Sequence, residues 1–125
     1  MHTAFAIALG GALGALCRHY MNMAIGQFAN MTFPVGILSI NVLGSFLMGV
    51  MIAVFAHYWN PPQDIKLFLL TGFLGAFTTF SAFSLDVMTL WSRGAMGEAL
   101  LYVGGSVVLS VLAIFAGSEL VMRAL

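Results

Sequence analysis

Charge is nearly absent from four long stretches of this sequence, and little chain is left between them. The first runs from about residue 3 to 28 and is interrupted only by Arg18 and His19; the second, about 33 to 58, carries no formal charge. The third, about 65 to 91, is uncharged from Leu67 to Leu85, and the fourth, about 98 to 122, is uncharged from Ala99 to Gly117. A helix of about 20 residues crosses a ~30 Å hydrocarbon core, so each stretch is long enough to span it. Of 125 residues 62% are hydrophobic and 6% charged, against about 25% charged in ordinary soluble domains. A water-soluble surface cannot be covered with so few polar groups. The reading is an all-α integral membrane protein, one domain of four transmembrane helices, without a soluble domain. A formal net charge of zero gives no electrostatic case for nucleic acid. The N-terminus has neither a basic region nor a small-residue cleavage site, so no signal peptide is expected.

The joints carry turn residues: Asn30 to Pro34, Asn60 to Asp64, and Arg93 to Gly97. Such short connections make consecutive spans antiparallel neighbours. Four spans put both termini on one side with Lys66 and Arg123, while Arg93 lies on the other. Two cations against one is a bias weak enough to allow insertion in both orientations. Lipid offers no hydrogen bonds to intramembrane polar groups, which favours an oligomer. Gly10 and Gly14 form a GxxxG, and Ser45 and Gly49 a small-xxx-small pair; both permit close helix contact, within one chain or between two.

Polar residues inside the spans are the functional candidates. Asn41 is the most polar residue of the second span, with Ser45 one turn on. Its amide has two uses, a hydrogen bond to another helix or a donor aimed into a pore. The third span holds Gly72, Gly75 and the pair Thr78-Thr79, all weak helix formers. A break between Gly75 and Thr79 would free mid-membrane carbonyls able to hold a small hard cation such as Na⁺; the alternative is a straight helix whose threonines bond the preceding turn. Phe77, Phe80 and Phe83 recur at i, i+3 and i+6. They are either packing or a row of aromatic edges, whose partial positive charge suits an anion. Ser81 and Ser84 lie beside them, and Ser106 and Ser110 sit one turn apart in the fourth span. Arg18, deep in the first span, has a structural role or faces a water-filled vestibule and attracts anions. Asp86 reads as a solvated span end, and Tyr102, Trp59 and Trp91 suit the membrane interface. Cys17 and the histidines have no metal-ligand spacing. No nucleophile elbow, phosphate loop or metal-binding histidine pair is present, so no enzyme is expected.

Three motifs extend this reading: Gly10-Gly11-x-x-Gly14-Ala15-x-x-Arg18, Asn41-x-x-Gly44-Ser45-Phe46, and Gly72-Phe73-Leu74-Gly75-x-Phe77-Thr78-Thr79-Phe80-Ser81-x-Phe83. Together, over essentially the whole chain, they resemble the CrcB (Fluc) family of fluoride channels. The resemblance implies a homodimer of oppositely oriented subunits in the plasma membrane, with two pores that passively export fluoride from the cytoplasm and so relieve its toxicity. It assigns Phe80 and Phe83 as pore phenylalanines and Asn41 as the pore amide. Ser81, Ser84, Ser106, Ser110 and Tyr102 form the hydroxyl track or its surroundings, and Arg18 and Asp86 lie towards the vestibules. Backbone carbonyls of Gly75 and Thr78 from both subunits hold a structural Na⁺ that is not transported. Two other readings fit four small spans. A proton-coupled exporter of the small multidrug resistance kind needs a carboxylate in the first span, where none exists. A non-conducting assembly subunit would use the phenylalanines and Asn41 for packing alone.

Overall fold

The structure, a computed structural model, describes residues 2–29 and 33–125. Of the turn expected over Asn30 to Pro34, therefore, Asn30, Met31 and Thr32 lie outside the described residues. Regular structure is helical throughout: α1 (His2–Ala29), α2 (Val35–His57), α3 (Gln63–Lys66), a π-helical segment (Leu67–Leu74), α4 (Gly75–Phe77), α5 (Phe80–Ser92) and α6 (Met96–Ala124). Among the described residues four stretches are long and apolar enough to cross a membrane: His2–Phe28, Val35–His57, Gln63–Ser92 and Met96–Ala124. The third contains everything from α3 to α5, so it is a broken span rather than one continuous helix. This is a multi-pass membrane protein.

The joints follow from local chemistry. Pro34 and Pro62 stand immediately before α2 and α3, where a residue without an N–H costs the helix nothing. Asp64 lies in the first turn of α3, beside its unpaired N–H groups. Between α5 and α6, Gly94 adopts a positive φ of 78°. Its N–H bonds Trp91 O at 3.0 Å and that of Ala95 bonds Leu90 O at 2.9 Å. This is the Schellman pattern, in which a left-handed glycine satisfies the last carbonyls of a helix and reverses the chain.

Two glycine-lined contacts set the packing. On one side α2 meets α6: a methyl group on Gly49 would collide with the backbone carbonyl of Ile114, and one on Gly117 with that of Phe46. On the other, α1 meets the π-helical segment, where Gly10 lies against the carbonyl of Phe68 and Gly14 against that of Phe73. Gly72 returns the contact, its added carbon falling 2.8 Å from Ile7 O. The Gly10-Gly14 pair of the GxxxG thus closes a contact within the chain, as does Gly49.

This second contact also accounts for the π-helix, for which the sequence carries no signal. Gly10 and Gly14 are four residues apart, one α-helical turn. The carbonyls they receive, Phe68 and Phe73, are five apart, which is the i to i+5 repeat of a π-helix. The wider turn of the π-helical segment lets both carbonyls settle against both glycines.

Two small cores flank the break in the third span. Ile40, Leu74 and Phe77 pack before it, and Ile37, Phe83, Leu90, Ala99 and Tyr102 after it. Outside these cores the large apolar residues point outward, among them Leu100, Leu101, Val108, Leu112 and Phe115 of α6. In water such a surface would aggregate; in hydrocarbon it matches its solvent.

Candidate ion pathway

Helix α4 ends at Phe77, and the next two residues are extended: Thr78 has φ −79°, ψ 154° and Thr79 φ −151°, ψ 124°. The threonines bond locally. Thr78 Oγ1 donates to Leu74 O at 2.9 Å, and Thr79 Oγ1 caps α5 by accepting from Ala82 N at 3.1 Å. These bonds do not by themselves part the helix. A residue of α2 does. Asn41 Oδ1 accepts the Thr79 N–H at 2.8 Å, and Asn41 Nδ2 donates to Thr79 O at 3.0 Å. The amide therefore substitutes for a neighbouring strand, giving both backbone groups of Thr79 a partner in a region where water is scarce. One N–H of its two remains for another acceptor.

The last carbonyls of α4 are served unequally. Arg18, half-buried on α1, donates from Nη1 to Ala76 O at 2.7 Å, a cation at the negative end of a short helix. Thr78 N–H closes the final turn on Leu74 O at 3.0 Å. Among the described residues no N–H or O–H bonds Gly75 O or Thr78 O. Such free oxygens are the donor type that a hard cation selects. The chemistry of Gly75 and Thr78 thus fits a small cation, and among the described residues no cluster of His, Cys, Asp or Glu offers another metal site.

Beside the break lies an open groove of about 550 Å³. Asn41, Gly75, Thr78, Phe80, Phe83, Ser106 and Ser110 all line it, together with Ser45 and Thr79. No charged side chain does. Phe80 is 77% exposed, whereas Phe83 is buried. Their ring centroids are 5.3 Å apart. Ser106 Oγ is buried and has no hydrogen-bond partner among the described residues. An orphaned hydroxyl costs free energy where it stands, about 1–3 kcal/mol, unless something in the groove accepts from it.

The remaining candidates fall elsewhere. Ser81 is exposed, and its Oγ is 3.3 Å from Thr79 Oγ1, outside the groove lining. Ser84 is exposed and also apart from the groove. Tyr102 is fully buried within the chain, packed on Phe83 at 5.2 Å and edge-on to Phe33 at 5.6 Å. Its hydroxyl donates to Asp86 Oδ2 at 2.9 Å. Asp86 is accordingly tied to α6 rather than freely solvated, and it borders a second, smaller hollow with Asn22 and Gly36. Nor do the phenylalanines form one stripe. The break separates Phe77, which stacks on Phe73 at 6.2 Å, from Phe80 and Phe83 on α5.

Comparison with known proteins fits this architecture. The family described as "CrcB-like protein, Camphor Resistance (CrcB)" matches residues 5–118. Proteins named fluoride-specific ion channel FluC are similar over nearly the full length. The one from Rhodospirillum centenum is 44% identical over 124 residues, covering 99% of this chain and 98% of the relative. That from Paracoccus denitrificans is 52% identical, with 93% and 91% covered, and that from Rhodopseudomonas palustris 48%, with 92% and 93% covered. By the extent of that family match and by its identity to these relatives, the chain belongs to the CrcB family.

Proposed function

We propose that this protein is a fluoride channel, exporting the anion passively across the plasma membrane. The observation that carries the proposal is the groove beside the break: midway along the third span, free of charged side chains among the described residues, and supplied with an unpartnered hydroxyl from Ser106, an amide from Asn41 and the exposed ring of Phe80. Fluoride is small and strongly hydrated, so it enters a narrow path only if several donors replace its water, and it leaves only if none holds it firmly. Neutral donors meet both conditions. A lysine or arginine at the constriction would bind the anion too well to release it. Aromatic edges contribute partial positive charge without a formal one.

The groove is open along its length, which is unsuitable for an ion path facing lipid. A second copy inserted in the opposite direction closes it, so the working unit is an antiparallel homodimer with two pores. The near-balanced cations Lys66, Arg93 and Arg123 permit that dual insertion. Carbonyls of Gly75 and Thr78 from both subunits would hold a structural Na⁺, which would supply fixed positive charge beside the breaks without being transported. Ser81, Ser84, Ser110 and Tyr102 extend the hydroxyl track or its surroundings, Asp86 lies towards a vestibule, and Arg18, bonded to Ala76 O, sits beside the break instead. The exporter reading loses its support because no carboxylate lines the groove.

A passive channel moves charge. Vesicles loaded with potassium fluoride and carrying only this protein are expected to release fluoride when valinomycin gives K⁺ a compensating path, and to retain it otherwise. Release driven by a proton gradient without valinomycin would point to coupled exchange instead.

A further inference from the structure

The cation reading leaves open why Gly75 and Thr78 should supply the oxygens when four consecutive carbonyls lie at the end of α4. In a continuous helix the Thr79 N–H would bond Gly75 O and the Phe80 N–H would bond Ala76 O. Here the Thr79 N–H is taken by Asn41 Oδ1 at 2.8 Å, which leaves Gly75 O without its helical donor. Thr79 O is taken by Asn41 Nδ2 at 3.0 Å, and Ala76 O by Arg18 Nη1 at 2.7 Å. Two side chains from two other helices thus occupy Ala76 O, which lies between the pair, and Thr79 O, which follows it; among the described residues Gly75 O, Phe77 O and Thr78 O keep no donor. We propose that Asn41 and Arg18 are positioning residues for the cation site: Asn41 releases Gly75 O by holding Thr79 away, and Arg18 withdraws Ala76 O.

The two act with opposite sign. Without the Asn41 amide, the Thr79 N–H is free to return to Gly75 O, the break closes by one bond, and the site loses an oxygen. Without the Arg18 guanidinium, Ala76 O joins the site and a positive charge beside it disappears. The site then binds cations more tightly, and with more oxygens it discriminates less between a small ion and a large one. Arg18 on this account sharpens the site at the expense of its affinity. The inference rests on the cation reading made under the proposed function.

The test reads cation binding rather than flux. The thermal unfolding midpoint of the purified protein in detergent is followed as Na⁺, and separately K⁺, replaces N-methylglucamine at constant ionic strength. For the unaltered chain Na⁺ raises the midpoint and K⁺ does so far less. Asn41→Val is expected to need about tenfold more Na⁺ for half the effect, and Arg18→Gln about tenfold less, with K⁺ now effective. Should Arg18→Gln fail to fold, Arg18→Lys keeps the charge and one donor and is expected to hold the Na⁺ requirement within about twofold. Half-effects unchanged in the variants, a shift of both in the same direction, or loss of the Na⁺ preference in Arg18→Lys would overturn the inference while the cation reading stands. An unaltered chain indifferent to Na⁺ would overturn both.

Discussion

Phe80→Ile is expected to lower fluoride release from vesicles about a hundredfold while the protein keeps its fold, a barrier increase of about 2.7 kcal/mol. Phe80 is 77% exposed, so trimming its ring removes little packing. What it removes is an aromatic edge at the groove, at a point where the ion has already lost water and each positioned donor counts for much more than it would in bulk solvent. Isoleucine keeps the bulk and the hydrophobicity but has no positive edge. Phe83→Ile is expected to lower release as well, with a loss of stability besides, because Phe83 is buried against Tyr102 at 5.2 Å. Normal release in both variants, measured with a fluoride electrode, would reduce these rings to packing.

The second large effect concerns the fold. Gly14→Leu is expected to abolish properly folded protein, read as loss of the monodisperse peak in size-exclusion chromatography. Even the first carbon of a side chain there collides with the backbone of Phe73, and backbone cannot swing aside as a side chain can. Gly117→Leu, against the carbonyl of Phe46 in the other contact, is expected to behave the same way. Gly97→Ala is the matched control. Nothing lies within 4 Å of the added carbon, so that variant should elute and conduct as the unaltered chain does.

These two sets of residues mark what the sequence makes legible. Uncharged length locates the spans, because crossing hydrocarbon imposes a length and forbids charge, and both demands are written locally. The break is only half legible: Gly72, Gly75, Thr78 and Thr79 are poor helix formers gathered in one stretch, but a straight helix with its threonines bonded to the preceding turn fits the same residues. The partners are not local. Asn41 stands open in the sequence between an inter-helix bond and a pore donor, and the structure shows its amide paired with a backbone unit 38 residues away. Only the packing of α2 beside the third span sets that choice. Arg18 likewise demands an acceptor, but nothing near it in sequence points to Ala76, 58 residues on. The burial of Tyr102 is likewise not written locally, since it depends on Asp86, 16 residues away, meeting its hydroxyl. The π-helix lies beyond local reading altogether. Leu67 to Leu74 is an ordinary apolar run, and its wider turn comes from the four-residue glycine spacing on a different helix.

One feature of the sequence gains meaning from the groove. Of eight charged side chains in 125 residues, Arg18 bonds the backbone at the break, and its guanidinium is committed to that carbonyl rather than to the path. Scarcity of charge is then part of how the site works, since it leaves an anion only partial charges to move between.

The measurement that tests this most directly is anion selectivity in vesicles containing the purified protein and nothing else, with valinomycin present. The prediction is rapid release of fluoride, with chloride released no faster than from protein-free vesicles. Equal release of the two anions, or no fluoride release at all, would contradict it.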